Sequence, residues 1–389
     1  MFQVTNYTPT RVIFGAGRLE ELATLALPGK KALICVTEDG LMEKLGFQKR
    51  VIDLLKKNGV DAVVFDRVTP NPLRSGVMAA TELARKNNCD FCLGLGGGCS
   101  IDTAKAVAIM LKNPGDLWDY AYTGTGGKKS IAVAAPIVTV STTSGTGTET
   151  DPYCVITNEA TGEKLDFAVE AIFPALSVID PELMLSLPRT LTVYQGFDAL
   201  FHAAECYITN GNANRLVDLY AEDAVRTVAK WLPVVTEDGN NLEGRVNMAY
   251  AADILSGYTQ ALICTTSHHI TGQTMGGLFQ KLPHGASLIL IAEEYYKRVC
   301  GFFPDIFDNL GAFMGEQPVP GQPGMSFVNG LVKLLDKTGM RGLPMSGFGI
   351  KPEDFEKIAE VTVDVVGIDC DRYTLTKSDI VGILEKSYK

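Results

Sequence analysis

The chain contains only four histidines, and all four lie in its C-terminal half. His202 follows Asp198 by four residues, and residues with this spacing lie on one face of a helix with Cβ atoms about 5 to 6 Å apart. Asp198 and His202 could therefore bind one metal ion together. The other histidines are His268, His269 and His284, and two of them would complete a four-ligand site if the helices converge. An Asp/His metal site is the strongest indication of chemistry in this sequence.

A glycine-rich loop points to a second ligand. Gly96, Gly97 and Gly98 end a strand-like run and precede a helix that we expect to begin at Ser100. Glycines let backbone N–H groups approach a ligand closely, and a helix N-terminus favours negative charge, so a pyrophosphate would fit there. A tight turn that binds nothing explains the three glycines equally well.

Two further features favour a dinucleotide. A loop rich in Ser and Thr at residues 141–147 follows the apolar run at 131–140, which we expect to be one strand. Two such loops on one sheet favour a dinucleotide crevice. Glu38 follows another strand-like run, where a carboxylate can bind the adenosine ribose and repel a 2′-phosphate, which favours NAD over NADP; a solvated loop acid is the alternative. The usual G-x-G-x-x-G fingerprint is absent, because Glu20 stands where its third glycine would be.

Composition limits the classes of protein and partner. With 389 residues, 46% of them hydrophobic, the chain is long enough for two globular domains. No run of 18 apolar residues and no N-terminal signal pattern occur, so we expect no membrane association and a cytoplasmic location. The net charge of -10 disfavours nucleic acid as a partner. Nine scattered cysteines predict buried free thiols, and the Cys89/Cys92 pair is interpreted as structural.

The order of predicted elements divides the chain. The first 180 or so residues alternate strand-like and helical runs, which is typical of a parallel sheet with flanking helices. Beyond Pro181 the strand signals nearly vanish, and long amphipathic segments such as residues 351–366 predict helices. We therefore expect an α/β domain at residues 1–184 and an all-α domain at residues 185–389.

With these landmarks in order, the chain resembles the iron-containing (group III) alcohol dehydrogenase family over almost its full length. The matching segments are PTRVIFGAG, GGGCSIDTAKA, STTSGTGTE, GEKL, VIDPELM, GFDALFHAAE and LPHGASL, together with the segment around His269. The resemblance implies a dinucleotide-binding α/β domain followed by a helical metal domain. It also implies a metal-dependent NAD(P)(H) alcohol dehydrogenase or aldehyde reductase that assembles as a homo-oligomer, expected to be a dimer.

The resemblance also assigns residues by position. It implies four metal ligands, which are Asp198, His202, His269 and His284. It implies cofactor contacts at Glu38, Gly97, Gly98, Cys99, Thr142, Thr143 and Lys164. For the third ligand, the family spacing counted back from the Gly276-Gly277 pair selects His269. The spacing counted back from His284 gives Ile270, which implies one extra residue in the segment LFQK. We therefore prefer His269 and place His268 in the substrate pocket. Oxygen and nitrogen ligands without a thiolate suit Fe2+ or Zn2+, and the sequence does not choose between them.

Three positions depart from the family pattern. Gln273 stands where members commonly carry a further histidine near the substrate, so a proton route through that imidazole is in doubt. Gln260 stands where an aromatic residue is common, and Tyr153 where an amide is common. We place all three in the substrate pocket with His268, and their polarity predicts a short aldehyde that carries a second polar or anionic group.

Two other functional classes compete with this interpretation. On the same scaffold, a metal-dependent lyase or synthase similar to dehydroquinate synthase would keep NAD bound through its cycle. It would need several Lys and Arg residues around the metal for a phosphorylated substrate, and few occur near Asp198, His202 and His284. A non-catalytic nucleotide-binding protein would leave the Asp/His constellation without a purpose.

Overall fold

The computed structural model describes residues 4–389, which form two compact units. One unit comprises residues 8–186, and the other comprises residues 4–7 and 187–389. We refer to them as the α/β unit and the helical unit.

The α/β unit is built around a parallel sheet. Its strands are β1 (Arg11–Phe14), β2 (Lys31–Thr37), β3 (Asp61–Val68), β4 (Phe91–Gly96), β5 (Ile137–Ser141), β6 (Tyr153–Asn158), β7 (Glu163–Ala168) and β8 (Leu176–Ile179). Six of them form the sheet in the order β1-β8-β5-β4-β2-β3, and all its neighbours are parallel. The remaining two, β6 and β7, form an antiparallel hairpin in which Thr157 pairs with Lys164.

Helices cover both faces of this sheet, which explains why its strands are apolar almost throughout. The helices are α1 (Leu41–Lys44), α2 (Phe47–Lys57), α3 (Arg74–Lys86) and α4 (Gly98–Lys112), and short 3-10 helices span Arg18–Ala23, Leu117–Tyr120, Glu170–Ile172 and Pro181–Met184. Leu93 of β4 shares a core with Leu54 of α2. The next residue, Gly94, faces α4, where an added Cβ would lie 2.6 Å from the Cα of Ile101.

The helical unit has a single large apolar core. Its helices are α5 (Arg189–Asn210), α6 (Arg215–Glu237), α7 (Leu242–Ala249), α8 (Gly257–Leu262), α9 (Ser267–Leu278), α10 (His284–Val299), α11 (Pro304–Phe313), α12 (Met325–Thr338), α13 (Phe355–Glu360) and α14 (Lys377–Ser387). Tyr250–Ser256 and Val361–Val366 are π-helical, and Cys300–Phe302, Met345–Phe348 and Pro352–Asp354 are 3-10 helices. The central helix is α5, which packs against α6, α8 and α10 and buries nearly every side chain from Thr192 onward.

The predicted fold class is confirmed, with a parallel sheet in the N-terminal part and helices in the C-terminal part. Residues 187–389 contain no strand. Among the described residues, no helix combines the length and the apolar character that a bilayer span requires.

Several local predictions were wrong. The strand expected at residues 131–140 is only Ile137–Ser141, because the preceding residues are largely exposed and Pro136 cannot donate to a sheet ladder. The helix expected to begin at Ser100 begins at Gly98. The helix expected at residues 351–366 consists of the short α13 with a 3-10 turn before it and a π-helical turn after it.

The prediction that all nine cysteines are free thiols was also wrong. Cys264 and Cys370 form a disulfide, whereas the other seven cysteines, including Cys89 and Cys92, are free. The two partners are 106 residues apart in sequence but have Cα atoms 6.2 Å apart, a distance suited to a disulfide. Such a pairing depends on tertiary contacts, and no spacing rule in the sequence reveals it.

Candidate active site

Three helices of the helical unit bring the predicted metal ligands together. Asp198 and His202 lie one turn apart on α5, His269 lies in the first turn of α9, and His284 is the first residue of α10. Thr266 caps α9 by accepting a hydrogen bond from the His268 N–H.

A glycine allows the close approach of α10 to α5. A Cβ added at Gly285 would lie 2.2 Å from the carbonyl oxygen of Tyr194, which lies one turn before Asp198 on α5. Only a residue without a side chain fits at this contact, which explains why glycine follows His284 in the sequence.

The four side chains converge on one point. From Asp198 Oδ1, the Nε2 atom of His269 lies at 3.4 Å, that of His284 at 3.5 Å and that of His202 at 3.7 Å. The rings of His202 and His269 stack with centroids 4.3 Å apart. Asp198, His202 and His269 are buried, and the His284 side chain is 28% exposed.

These positions fit a metal ion. Ligand atoms about 2.1 Å from a tetrahedral metal are about 3.4 Å from one another, close to the distances measured from Asp198 Oδ1. Potential ligand atoms of Asp198, His269 and His284 all lie within 4.8 Å of one another. Asp198 Oδ1 and His269 Nε2 are buried, and neither makes a hydrogen bond of acceptable geometry, although they lie 3.4 Å apart. Buried polar atoms seldom stay without a partner, so this cluster is built for a ligand that the protein chain itself does not supply.

The charges in the cluster oppose the cost of burial. Burial raises the pKa of Asp198, but the imidazoles of His202, His284 and His269 together outweigh this effect, and the net pKa lies below its ordinary value. Burial lowers the pKa of His269, but Glu205 and Asp198 raise it to about 9.

Glu205 is a residue of this site that the sequence reasoning missed. It lies on α5 three residues after His202, and its Oε1 is 2.7 Å from His268 Nδ1 and 2.8 Å from His269 Nδ1. The available signal was the spacing of Asp198, His202 and Glu205, because steps of four and three residues keep all three side chains on one helix face.

The prediction that His268 is a substrate-pocket residue was wrong. Its side chain is fully buried, Nδ1 lies against Glu205 and Nε2 lies 3.1 Å from the carbonyl oxygen of Leu288. Both ring nitrogens thus face protein oxygens. Of the two adjacent histidines, His269 is the one that directs a nitrogen toward Asp198.

In the α/β unit, the two predicted nucleotide loops lie side by side. The loop after β4 carries Gly97, Gly98 and Cys99, and the loop after the neighbouring β5 carries Thr142 and Thr143. A Cβ added at Gly97 would lie 2.8 Å from Thr143 Cγ2. Burial raises the pKa of the Cys99 thiol to about 11, so this side chain is a neutral thiol at neutral pH.

Sheet topology places Glu38 beside the glycine loop. The chain runs from β2 outward to β3 and then crosses back to β4 on the other side of β2, so the strand order reverses between β2 and β4. In open α/β sheets, ligands bind outside the carboxyl ends of the strands at such a reversal. Glu38 follows β2, and Gly97 follows β4.

The last predicted cofactor contact, Lys164, and the three remaining predicted pocket residues lie on other elements of the two units. Lys164 is a buried residue of β7, and its Nζ donates a 2.9 Å hydrogen bond to Oδ1 of Asn71, which follows β3. Tyr153 begins β6 in the α/β unit. In the helical unit, Gln260 lies on α8 and Gln273 lies on α9, one turn after His269.

Comparison with known families covers both units. Residues 9–181 match the family described as iron-containing alcohol dehydrogenase, and residues 192–388 match the C-terminal family of Fe-containing alcohol dehydrogenases. The chain therefore belongs to the iron-containing alcohol dehydrogenase family.

Individual relatives agree with this assignment. The NAD-dependent methanol dehydrogenase of Bacillus methanolicus is 30% identical over 399 residues, which cover 99% of this chain and 100% of the relative. The 1,3-propanediol dehydrogenase of Citrobacter freundii is 34% identical over 341 residues, which cover 87% of this chain and 86% of the relative. The crystal structure of a 1,3-propanediol oxidoreductase superposes with a TM-score of 0.90 at 29% identity and covers 100% of both chains.

The class of protein is thus an NAD-dependent alcohol dehydrogenase of the iron-containing type. The alternative of a dehydroquinate synthase-like lyase is not favoured, because the family and the relatives reported above are dehydrogenases.

Proposed function

We propose that this protein reversibly interconverts a short, polar aldehyde and its alcohol, with NAD(H) as cofactor and Fe2+ as the resident metal. The cluster around Asp198 Oδ1 carries the proposal, because it brings three imidazole nitrogens within 3.7 Å of a buried carboxylate oxygen that accepts no hydrogen bond. The overall reaction converts an alcohol and NAD+ into an aldehyde, NADH and a proton.

The metal would be held by Asp198, His202, His269 and His284. When bound, it supplies a Lewis acid that polarises a carbonyl or hydroxyl oxygen and can lower the pKa of such a group by several units. The single carboxylate leaves a divalent metal with a net positive site, which favours negative charge on oxygen. Burial of three of the four ligands excludes water and strengthens that effect.

The family to which the chain belongs makes Fe2+ the proposed metal, although a site of three nitrogens and one oxygen also suits Zn2+. Metal analysis of protein purified under anaerobic conditions tests this choice. One equivalent of iron per chain is expected, and zinc in a protein that is fully active without iron would contradict it.

The glycine loop and Glu38 support the choice of NAD. The N-terminus of α4 begins at Gly98, and its backbone N–H groups and helix dipole suit the negative charge of a diphosphate. The Glu38 side chain is exposed and makes no side-chain hydrogen bond among the described residues, so its carboxylate is available to ribose hydroxyls. A 2′-phosphate would meet this negative charge, and we therefore propose NAD rather than NADP.

Two glutamines support a polar substrate. Gln273 lies one turn after His269 on α9, and Gln260 lies on α8, which packs against the ligand-bearing helix α5. Carboxamides can donate to and accept from a second polar group on the aldehyde. No spare imidazole exists for proton transfer, since three histidines belong to the cluster and His268 is buried against Glu205. Water is therefore the proposed proton carrier.

Steady-state NADH oxidation with a panel of aldehydes tests the function. Multiple equivalents of NADH should be consumed, activity should fall after EDTA treatment, and anaerobic Fe2+ should restore it. A protein that keeps one bound NAD without net consumption would support the lyase class. Among butanal, succinic semialdehyde, sulfoacetaldehyde and lactaldehyde, a polar aldehyde should show the highest kcat/KM, and a clear preference for butanal would contradict the proposed substrate class.

Assembly and location are part of the same proposal. Family membership supports a homodimer, and light scattering coupled to size-exclusion chromatography should give twice the 41.9 kDa chain mass. The proposed location is the cytoplasm, where disulfides such as Cys264–Cys370 are unusual. Thiol labelling of freshly lysed cells under denaturing, non-reducing conditions should find seven reactive cysteines if the disulfide is present in the cell and nine if it is reduced.

A further inference from the structure

A second cluster of ionisable groups lies directly behind the proposed metal ligands. At its centre is Glu205, which is fully buried. Its Oε1 lies 2.7 Å from His268 Nδ1, 2.8 Å from His269 Nδ1 and 3.3 Å from the hydroxyl of Tyr296. Its Oε2 accepts hydrogen bonds from the Thr266 N–H at 2.9 Å and the Thr266 hydroxyl at 2.8 Å.

The partners of Glu205 suit an ionised carboxylate. Such a group is acceptor-only and offers about four lone-pair sites, and N–H and O–H groups surround it. The backbone N–H of Thr266 donates to Oε2. With the carboxylate ionised, Oε1 accepts as well, and His269 donates its Nδ1 hydrogen to it.

This hydrogen-bond direction fixes the tautomer of His269. When Nδ1 carries the hydrogen, the lone pair of a neutral imidazole is on Nε2. That atom lies 3.4 Å from Asp198 Oδ1 and has no hydrogen-bond partner. The ring of His269 is thus oriented from one edge by Glu205 and presents its free nitrogen at the other.

We propose that Glu205 is the positioning residue of the metal centre, and that His268 holds Glu205 in place. The inference rests on the proposed metal site and adds a function for two residues outside it. Glu205 would raise the affinity of His269 for a divalent metal by fixing its tautomer and increasing the basicity of the ring, as hydrogen-bonded carboxylates do behind metal-bound histidines.

His268 connects the elements that carry the ligands. Its Nδ1 lies 2.7 Å from Glu205 Oε1 on α5, and its Nε2 lies 3.1 Å from the carbonyl oxygen of Leu288 on α10, the helix that begins with His284. Aromatic packing surrounds the ring, with the centroid of Phe201 4.6 Å away and that of Tyr296 5.0 Å away. A single buried imidazole therefore joins α9 to both neighbouring helices.

Glu205, His268 and His269 are themselves close enough to hold a metal. Their mutual distances favour hydrogen bonds instead, because His268 Nδ1 and His269 Nδ1 both lie within 2.8 Å of one oxygen. A second metal at this position would also need a nitrogen of His268 that faces away from protein oxygens. The expected stoichiometry is one divalent metal per chain, and two tightly bound metals would overturn the proposal.

The main test compares metal affinities after chelator treatment. Competition with a chromophoric chelator measures Co2+ and Zn2+ binding to the parent protein and to Glu205→Gln. The glutamine amide has nearly the same size as the glutamate carboxylate. In either orientation, however, its NH2 group faces groups that donate hydrogen bonds to Glu205 in the parent protein. Affinity should fall about 10- to 100-fold, the usual cost of losing an outer-shell partner.

A matched control uses the same substitution at another fully buried glutamate. Glu149→Gln alters a carboxyl of the α/β unit that accepts a hydrogen bond from Ser141 and contacts no histidine. Its metal affinity should equal that of the parent protein. Equal affinity of folded Glu205→Gln and parent would overturn the positioning role, whereas a parent protein that binds no metal would overturn the proposed function itself.

A measurement on the unmodified sequence covers the case in which Glu205→Gln does not fold. In the Co2+-loaded protein, ring N–H hydrogens of metal-bound histidines give strongly shifted proton resonances. The Nδ1 hydrogen of His269 is buried and directed at Glu205, so one such resonance should exchange with deuterium oxide far more slowly than solvent-accessible N–H groups do. If no shifted resonance is protected, His269 does not donate to Glu205 and the proposal is wrong.

Discussion

Both units of this molecule bury charged groups, but they treat them differently. In the α/β unit, the Lys105 ammonium is completely buried and donates to Asp151 O at 2.8 Å, Asp151 Oδ1 at 3.0 Å and Tyr153 O at 2.8 Å. An ammonium has three hydrogens, and each has an acceptor. Asp151 Oδ1 also accepts from the Tyr153 N–H. The donors of this buried cation are fully used within the protein.

The cluster of the helical unit is left incomplete. Asp198 Oδ1 and His269 Nε2 are buried without a hydrogen bond, although both atoms face a group of imidazoles. Burial alone therefore does not distinguish a structural charge from a functional one. Single buried atoms without a hydrogen bond, such as Glu149 Oε2, also occur elsewhere. The distinguishing property of the cluster is that Asp198 Oδ1 and His269 Nε2 lack hydrogen bonds side by side and face two further imidazoles, an arrangement that a ligand would complete.

Removal of a predicted metal ligand should give the largest effect. We expect His202→Ala to lower kcat by at least about 1000-fold, since the metal's Lewis acidity accounts for most of the acid-base chemistry. The dissociation constant for NADH should change by less than about threefold, because the residues proposed to bind NADH lie in the α/β unit and the metal ligands lie in the helical unit. Steady-state rates and NADH fluorescence titrations measure the two effects.

If His202→Ala weakened NADH binding as much as turnover, the proposed division of metal binding and NADH binding between the two units would be wrong. Glu222→Ala is the control on the neighbouring helix, because the Glu222 side chain on α6 is 40% exposed and pairs with Arg226 at the surface. Its turnover and NADH affinity should both match those of the parent protein.

A change in the buried hydrogen-bond network of Lys105 and Asp151 should instead affect the free energy of unfolding. Lys105→Met removes the cation that compensates the buried Asp151 carboxylate, and breaking a buried pair in this way costs about 3 to 5 kcal/mol. Urea denaturation of the metal-free protein measures this loss. The affinity for Co2+ should stay unchanged, because the metal ligands lie in the helical unit.

The same substitution at an exposed ion pair provides the control. Lys129 pairs with Asp119, and its side chain is 57% exposed, so Lys129→Met should cost less than about 1 kcal/mol. A similar loss of stability in both variants would mean that burial and complete hydrogen bonding do not make Lys105 special.

The pH dependence of stability should reveal the protonation of Asp102, another buried acid that interacts with Lys105. Burial raises the pKa of Asp102 to about 6 despite the opposing effects of Lys105 and two hydrogen bonds. Because the folded pKa exceeds the unfolded value, the folded protein is favoured when Asp102 is protonated. This contribution is complete below about pH 4 and is lost as the pH rises through about 6.

Asp102→Asn should therefore flatten the stability profile between about pH 4 and pH 6, with a change of about 1 to 3 kcal/mol across that range. Denaturant titrations at several pH values measure it. An unchanged slope would show that Asp102 does not bind a proton more tightly in the folded protein. Asp116→Asn is a useful comparison, because Arg74 lowers the pKa of that carboxyl and its effect should have the opposite sign.

Sequence patterns predicted the architecture because they report local, periodic features. Alternating strand-like and helical runs gave the parallel sheet, and the loss of strand signals beyond Pro181 gave the helical unit. The β6–β7 hairpin was not predicted, although only the short turn at residues 159–162 joins its strands. The Cys264–Cys370 disulfide was missed because its partners are 106 residues apart in sequence and meet only through the tertiary fold.

The candidate site was predicted where spacing carries information. Asp198 and His202 share a helix face, and family resemblance brought His269 and His284 to the same point. The function of His268 was not predictable, because neighbouring residues on a helix point in different directions and only the structure shows which one meets Glu205. A sequence identifies potential ligands, but it does not show which polar atoms remain without partners.

The smallest expected effect concerns an exposed acid at the nucleotide loops. Glu38 makes no side-chain hydrogen bond among the described residues, whereas its neighbour Asp39 accepts from the Thr37 hydroxyl at 2.8 Å and the Leu41 N–H at 3.0 Å. We expect Glu38→Ser to shift the ratio of kcat/KM for NADH over NADPH about tenfold toward NADPH, which corresponds to about 1.4 kcal/mol.

Asp39→Ser separates a functional acid from a structural one at adjacent positions. It removes the local hydrogen bonds to Thr37 and Leu41, so it should lower stability by about 1 kcal/mol and leave the cofactor ratio within about twofold of the parent value. If Asp39→Ser changed the cofactor ratio and Glu38→Ser did not, the acid that already has partners would be the one that reads the ribose. Unpartnered polar atoms would then identify ligand sites in the buried helical cluster but not at exposed loops, where water can replace the missing partner.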